Sequence, residues 1–142
     1  MSTQPDSIEV LRQVGLRPTP QRLAIVREVF SRRHPTVAEI YEAVRRQFPT
    51  IGLATVYNTL HSITERDLVR ELPFANATRF DVNLEPHVNL VCTNCGEIED
   101  SSDCNELIGA IVDRIATGET FAPTGQRVDI YGLCKACSSG NS

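Results

Sequence analysis

No stretch of the sequence approaches the ~20 consecutive apolar residues that a helical membrane span needs, which excludes an integral membrane protein of that kind. The opening MSTQPDSIEV lacks the basic and apolar blocks of a secretory leader, so the expected location is the cytoplasm. Basic residues are not in excess either. The chain has 14 Lys and Arg against 18 Asp and Glu, a net charge of -4, which rules out a wholly basic chromatin-type protein. With 41% hydrophobic and 23% charged residues, the composition is that of a folded chain and not of a disordered tail. Its 142 residues suffice for one ordinary domain or two small ones.

The net charge hides a division. Residues 1–80 carry 11 Arg and 8 Asp or Glu, netting +3, whereas residues 81–142 carry 3 Lys or Arg and 10 Asp or Glu, netting -7. A mildly basic front half joined to an acidic back half suggests two jobs. A local basic face can still supply phosphate contacts in an acidic protein.

The front half reads as helices ending in a hairpin. Ile8, Leu11 and Val14 recur at helical spacing until Gly15 stops the turn. Thr19-Pro20 opens a second helix, threonine as N-cap and proline at the first helical position, with Leu23, Val26, Val29 and Phe30 as its apolar stripe. A third helix follows Pro35-Thr36, carries Val37, Ile40, Tyr41, Val44 and Phe48, and ends at Pro49. The fourth starts near Gly52 or Leu53. Val56, Tyr57, Leu60 and Ile63 are expected inward, and Ala54, Thr55, Asn58, Thr59 and His61 on the other face. Two extended runs, Leu68 to Leu72 and Thr78 to Val82, flank the turn-like Pro73-Phe74-Ala75-Asn76-Ala77. Helices followed by a hairpin form a winged helix-turn-helix pattern. Thr55, Tyr57, Asn58 and Thr59 have the short polar groups that a helix in the major groove needs. An all-α scaffold whose polar face is merely solvated fits the same spacing.

The back half contains five cysteines, of which four form two Cys-x-x-Cys pairs, Cys92/Cys95 and Cys134/Cys137, while Cys104 stands apart. Val88 to Cys92 alternates like a strand, Cys92 to Gly96 reads as a zinc-knuckle turn, and Glu97 to Asp100 returns as a second strand. Asn105 to Ala116 forms an amphipathic helix with Leu107, Ile108, Ile111, Val112 and Ile115 on one side. Val128 to Leu133 is a third strand that feeds into Cys134. Two such pairs at strand ends match the tetrahedral thiolates of structural Zn(2+), with redox disulfides as the weaker alternative in a reducing compartment. The 38 residues between the pairs require a strand and helix folded between them. So small an α/β unit buries little alone, and dimerisation would complete it.

These residues resemble the ferric uptake regulator family. The resemblance is carried by Gly15-Leu16-Arg17-Pro18-Thr19-Pro20-Gln21-Arg22, His34-Pro35-Thr36 and Ala54-Thr55-Val56-Tyr57-Asn58-Thr59-Leu60. It continues through Arg79-Phe80-Asp81, His87-Val88-Asn89-Leu90-Val91-Cys92, Cys95-Gly96 and Ile130-Tyr131-Gly132-Leu133-Cys134. It implies an α+β protein, not an enzyme, with a winged-helix DNA-binding domain over residues 1–82, a hinge about 81–87, and a dimerisation and zinc domain over residues 83–142. The partners implied are double-stranded DNA, as an AT-rich inverted-repeat operator, and a second copy of the chain. Tyr57 and Asn58 would face bases, with Thr55 and Thr59 nearby. Gln21 and Arg22 would hold phosphate and Arg17 would reach a minor groove.

The peroxide-sensing branch is the nearest look-alike, since Thr55 to Asn58 read Thr-Val-Tyr-Asn. The resemblance to that branch implies a regulatory Fe(2+) or Mn(2+) held by His34, Asp81, His87, the position of Asn89, and Asp100. His34 and His87 are the implied oxidation targets, whose loss would release DNA. Imidazole with carboxylate suits these ions. Asn89 departs from the pattern, which has His there: it weakens metal binding, lowers the coordination number, favours another metal, or leaves Glu85 to substitute. Gln126 likewise replaces a His of an additional site, which is expected to be absent. Against the peroxide-sensing repressor stand an iron, manganese or zinc homeostasis regulator that ignores peroxide, a zinc enzyme, and a zinc-stapled interaction module. Four cysteines leave a zinc enzyme no open position.

Overall fold

The computed structural model describes residues 4–74, 77–118 and 120–139. These fall into two units, Met1–Leu84 and Glu85–Ser142. The first holds α1 (Ser7–Gln13), α2 (Pro20–Ser31), α3 (Val37–Gln47), α4 (Leu53–Glu65), β1 (Arg70–Pro73) and β2 (Thr78–Asp81). The second holds β3 (Val88–Cys92), β4 (Ile98–Ser101), α5 (Asn105–Gly118), β5 (Val128–Gly132) and the short α6 (Lys135–Ser138).

Local chemistry sets the helix ends of the first unit. The Thr19 hydroxyl accepts from the Arg22 amide and caps α2, and the Thr36 hydroxyl accepts from the Glu39 amide and caps α3. Gly15 ends the first helical segment with φ +75°, where the Leu16 amide reaches back to the Leu11 carbonyl at 2.9 Å. The core gathers Leu11, Ile25, Val29, Ile40, Val44, Val56, Leu60, Ile63, Val69 and Phe80 from every helix and from β2. Antiparallel β1 and β2 form the wing. Ala75 and Asn76 of the expected turn lie outside the described residues. This is a winged helix-turn-helix.

Two facings differ from the sequence expectation. Tyr57 is 53% exposed rather than inward, and Thr59 is 1% exposed rather than on the outer face. The helical period explains both: Val56, Thr59, Leu60 and Ile63 stand at i, i+3, i+4 and i+7, so position 59 lies on the core stripe and position 57 does not. The Thr59 hydroxyl survives burial by donating to the Thr55 carbonyl at 2.7 Å. On α2, Ile25 is fully buried while Leu23 and Phe30 are only half-buried.

In the second unit, β3 is the central strand, antiparallel to β4 and parallel to β5. Its buried apolar residues are few: Val88, Ile98 and Ile108, beside Cys92. The apolar stripe of α5 is largely outward, with Leu107, Ile111 and Ile115 exposed, as are Ile130, Tyr131 and Leu133. Replacing Ile25 with Ala in the first unit is expected to cost about 2–5 kcal/mol, and Tyr57→Ala to stay within about 0.5 kcal/mol. Urea midpoints of the two variants check the assignment.

Candidate metal centres

The parallel register pairs Cys92 with Gly132, so the end of β3 arrives beside the turn that carries Cys134. The Thr93 amide bonds the Gly132 carbonyl at 2.8 Å, and α6 returns Cys137 to the same place. Gly96, at φ +79°, permits the tight turn after Cys95. The four sulfurs Cys92, Cys95, Cys134 and Cys137 all lie within 4.8 Å of one another. Cys95 and Cys134 are 3.7 Å apart. Ligands on a tetrahedral ion with Zn–S bonds of about 2.3 Å stand ~3.8 Å apart, so the cluster fits zinc.

The thiols show why an ion belongs there. The backbone N–H groups of Cys95 and Cys134 hold the Cys92 thiol down to about 6. Cys95 goes the other way: the Glu97 N–H favours its thiolate, but the neighbouring sulfurs and desolvation push it up to about 12. Cys137 is raised too, the Asn94 amide working against the Cys134 sulfur and desolvation. One thiolate forms readily and further charges are resisted; a divalent cation removes that resistance. Cys104 is exposed and outside the cluster.

His34, Asp81, His87 and Asp100 are of metal-ligating type, one His/carboxylate pair in each unit. In the first unit His34 Nε2 lies 3.7 Å from an Asp81 oxygen, both side chains buried. His34 has φ +47°, an uncommon conformation for a residue with a Cβ. The Arg79 guanidinium donates to its carbonyl at 2.8 Å, and the Phe80 amide donates to the Pro35 carbonyl at 2.9 Å. Strand β2 thus holds the strained turn in place and delivers Asp81 beside it.

In the second unit His87 Nε2 lies 3.5 Å from an Asp100 oxygen. His87 Nδ1 is 2.7 Å from the Glu85 backbone carbonyl, which can only accept, so Nδ1 carries a proton and the ring meets Asn89 and Asp100 through Nε2. Glu85 therefore positions His87 through its main chain. Asn89 is buried. Its Oδ1 lies 3.1 Å from His87 Nε2, and its Nδ2 donates to Asp129 at 3.0 Å. Arg127 in turn donates to both Asp129 oxygens, at 3.2 and 2.9 Å. Asp129 and Arg127 carry no motif that reading the sequence singled out; only the pairing of β3 with β5 could have found them.

Of the residues proposed from sequence for DNA, Asn58 and Tyr57 are exposed on α4 and Thr55 is half-buried. Thr59 is not on that face and acts in the helix interior. Arg17 is exposed, and Gln21 and Arg22 are half-buried at the start of α2, where Arg22 donates to the Arg17 carbonyl at 3.0 Å.

A sequence model of the Ferric uptake regulator family matches residues 13–131. The chain is 42% identical over 137 residues to the peroxide-responsive repressor PerR of Staphylococcus aureus, covering 93% of this chain and 89% of that protein. A crystal structure of the Campylobacter jejuni peroxide stress regulator aligns with a TM-score of 0.71 and 32% identity, over 92% of this chain and 98% of that one. The Vibrio cholerae ferric uptake regulator aligns with a TM-score of 0.73 and 28% identity, over 91% and 100%. Cys134→Ser leaves three thiolates and is expected to remove on the order of 10 kcal/mol of zinc-linked folding energy. Zinc content should fall well below one per chain, with loss of dispersed amide resonances in the second unit; retention of both would contradict the site.

Proposed function

The chain belongs to the Ferric uptake regulator family, and we propose that it is a metal-dependent repressor that responds to peroxide. The 42% identity to a peroxide-responsive repressor across 93% of the chain is the observation that carries this reading. Regulators of the family bind DNA as dimers.

The parts take the following roles. Residues 1–82 bind an AT-rich inverted repeat, with a hinge about 81–87. In α4, Tyr57 and Asn58 meet base edges and Thr55 lies beside them, while Gln21, Arg22 and Arg17 approach the DNA backbone and minor groove. No acidic side chain lies on α4 before Glu65, so the face offers phosphate no repulsion until its last residue. Residues 83–142 dimerise through the apolar side chains that α5 and β5 leave exposed, which accounts for an otherwise small buried core. Zinc in the cysteine cluster is structural, because four thiolates leave no open position. The protein works in the cytoplasm; no helix among the described residues is long and apolar enough to cross a membrane.

His34, Asp81, His87, Asn89 and Asp100 hold the regulatory Fe(2+) or Mn(2+). The donor types support this, since imidazole and carboxylate oxygen suit both ions and no thiolate is among them. Because His34 and Asp81 belong to the first unit and the other three to the second, shared ligation would tie the two and fix the spacing of the reading helices. Ferrous iron, when bound, supplies the electron that converts peroxide into a strong oxidant. His34 and His87 are the oxidation targets: an oxidised ring loses basicity, ligation fails, and the constraint on the reading helices is released. Asn89 favours a second reading, an iron, manganese or zinc homeostasis regulator that ignores peroxide, since it replaces an imidazole with an amide.

Anaerobic fluorescence anisotropy on an AT-rich inverted repeat separates the two. Zinc-only protein should bind weakly, Fe(2+) should tighten binding at least tenfold, and a brief peroxide pulse should abolish the gain irreversibly. A gain that survives peroxide establishes the homeostasis regulator. No gain with iron overturns the regulatory site. Asn58→Ala is expected to lower discrimination between operator and scrambled DNA by about 1–3 kcal/mol, read from the ratio of the two affinities.

A further inference from the structure

We propose that Asp129, braced by Arg127, is a positioning residue that turns the Asn89 amide so that its carbonyl oxygen is the ligand offered beside His87 and Asp100. The result is an oxygen-rich half-site tuned towards Mn(2+). The inference rests on the regulatory-metal reading above and concerns groups of the second unit alone.

The sheet builds the arrangement. Asn89 on β3 stands in register with Asp100 on β4 and with Asp129 on β5, so a carboxylate flanks the buried amide on either side. An amide presents NH2 at one end and an oxygen at the other, and the two carboxylates can only accept. Asp129 takes the NH2 at 3.0 Å. The oxygen is thereby turned to the opposite side, 3.1 Å from His87 Nε2. Arg127 donates to both oxygens of Asp129, which fixes that carboxylate in direction.

His87 is set independently. Its Nδ1–H is committed to the Glu85 carbonyl, so Nε2 is the ring atom that faces Asn89 Oδ1 and the one that would take a metal. The imidazole Nε2, an amide oxygen and, 3.5 Å from the imidazole, an Asp100 oxygen come together there. Flipping the amide would turn its oxygen onto the Asp129 carboxylate and its NH2 towards His87 Nε2. Nε2 of His87, Oδ1 of Asn89 and an Asp100 oxygen, three atoms of metal-ligating type, thus lie side by side. The 3.1 Å separation also matches the ~3.0 Å between neighbouring ligands of an octahedral ion with bonds of about 2.1 Å.

The consequence is selectivity. Exchanging an imidazole for an amide oxygen leaves one nitrogen and two oxygens in the half-site, and oxygen donors suit Mn(2+), whereas nitrogen favours Zn(2+). Asp129 matters because an unanchored amide must be turned and held by the ion itself, at a cost in affinity.

The test uses full-length protein with zinc in the cysteine cluster. Mn(2+) is added, and binding is followed by loss of the free-ion electron paramagnetic resonance signal. Wild type should bind one Mn(2+) per chain. Asp129→Ala should weaken it about tenfold, the usual cost of losing such a support, and Asp129→Asn, which keeps an acceptor oxygen, should recover most of the loss. In an Asn89→Ala background the Asp129→Ala change should have no further effect. Asn89→His should raise Zn(2+) affinity by a larger factor than Mn(2+) affinity. The side-chain amide resonances of Asn89, assigned in the manganese-free protein, should shift upfield in Asp129→Ala, a readout independent of any bound metal. Unchanged Mn(2+) affinity in Asp129→Ala, or an equal fall in the Asn89→Ala background, overturns the proposal while leaving the regulatory site standing. Failure of wild type to bind Mn(2+) overturns the proposal, and the regulatory site falls with it only if Fe(2+), added anaerobically, is not bound either.

Discussion

The parallel register of β3 on β5 decides more of this molecule than any other contact. Pairing Cys92 with Gly132 brings the first Cys-x-x-Cys pair beside the second, and pairing Asn89 with Asp129 sets the amide that faces His87. Both follow from one alignment. A slip by one residue would move Cys92 by about 3.3 Å along the strand and turn Asn89 away from its carboxylate. Parallel pairs form slowly and have no tight turn to fix them. Four thiolates around zinc, at one end of the strand pair, supply what the turn cannot. Few apolar side chains are buried among the described residues of the unit, so a bound zinc would supply folding energy that this core does not.

The first unit solves a different problem. Its core is large and apolar, and its first three helices carry side-chain N-caps. It nevertheless spends conformational energy at His34, which sits in the left-handed region immediately before a proline. Arg79 and the β2 backbone hold that turn. A strained histidine beside a buried carboxylate is costly for a structural turn, and under the proposed function the cost is recovered when the pair ligates a metal.

Much of the fold was legible in the sequence because the cues were local. Thr19-Pro20, Thr36 and Gly15 mark helix ends through hydrogen bonds made within a few residues, and the cysteine spacing names a tetrahedral site outright. Facing was legible only where apolarity and period agreed. At Thr59 and Tyr57 they disagree, and the period won. The stripe of α5 was legible but what covers it was not, because amphipathicity does not say whether the covering surface belongs to the same chain. Asp129 was invisible, since it lies 40 residues from Asn89 and only a parallel pairing joins them. The His/Asp pairs were legible through family resemblance; residue chemistry alone would have left His34 an ordinary residue before a proline.

The central claim is that peroxide is read at the imidazoles and not at the thiolates. Peptide mass spectrometry after a stoichiometric peroxide pulse on the iron-loaded, zinc-containing protein tests it most directly, with manganese-loaded protein as the control. The account predicts a single added oxygen on peptides containing His34 or His87, absent from the manganese sample, with zinc and all five thiols retained. Oxidised Cys92, Cys95, Cys134 or Cys137 with release of zinc, and unmodified histidines, would contradict it.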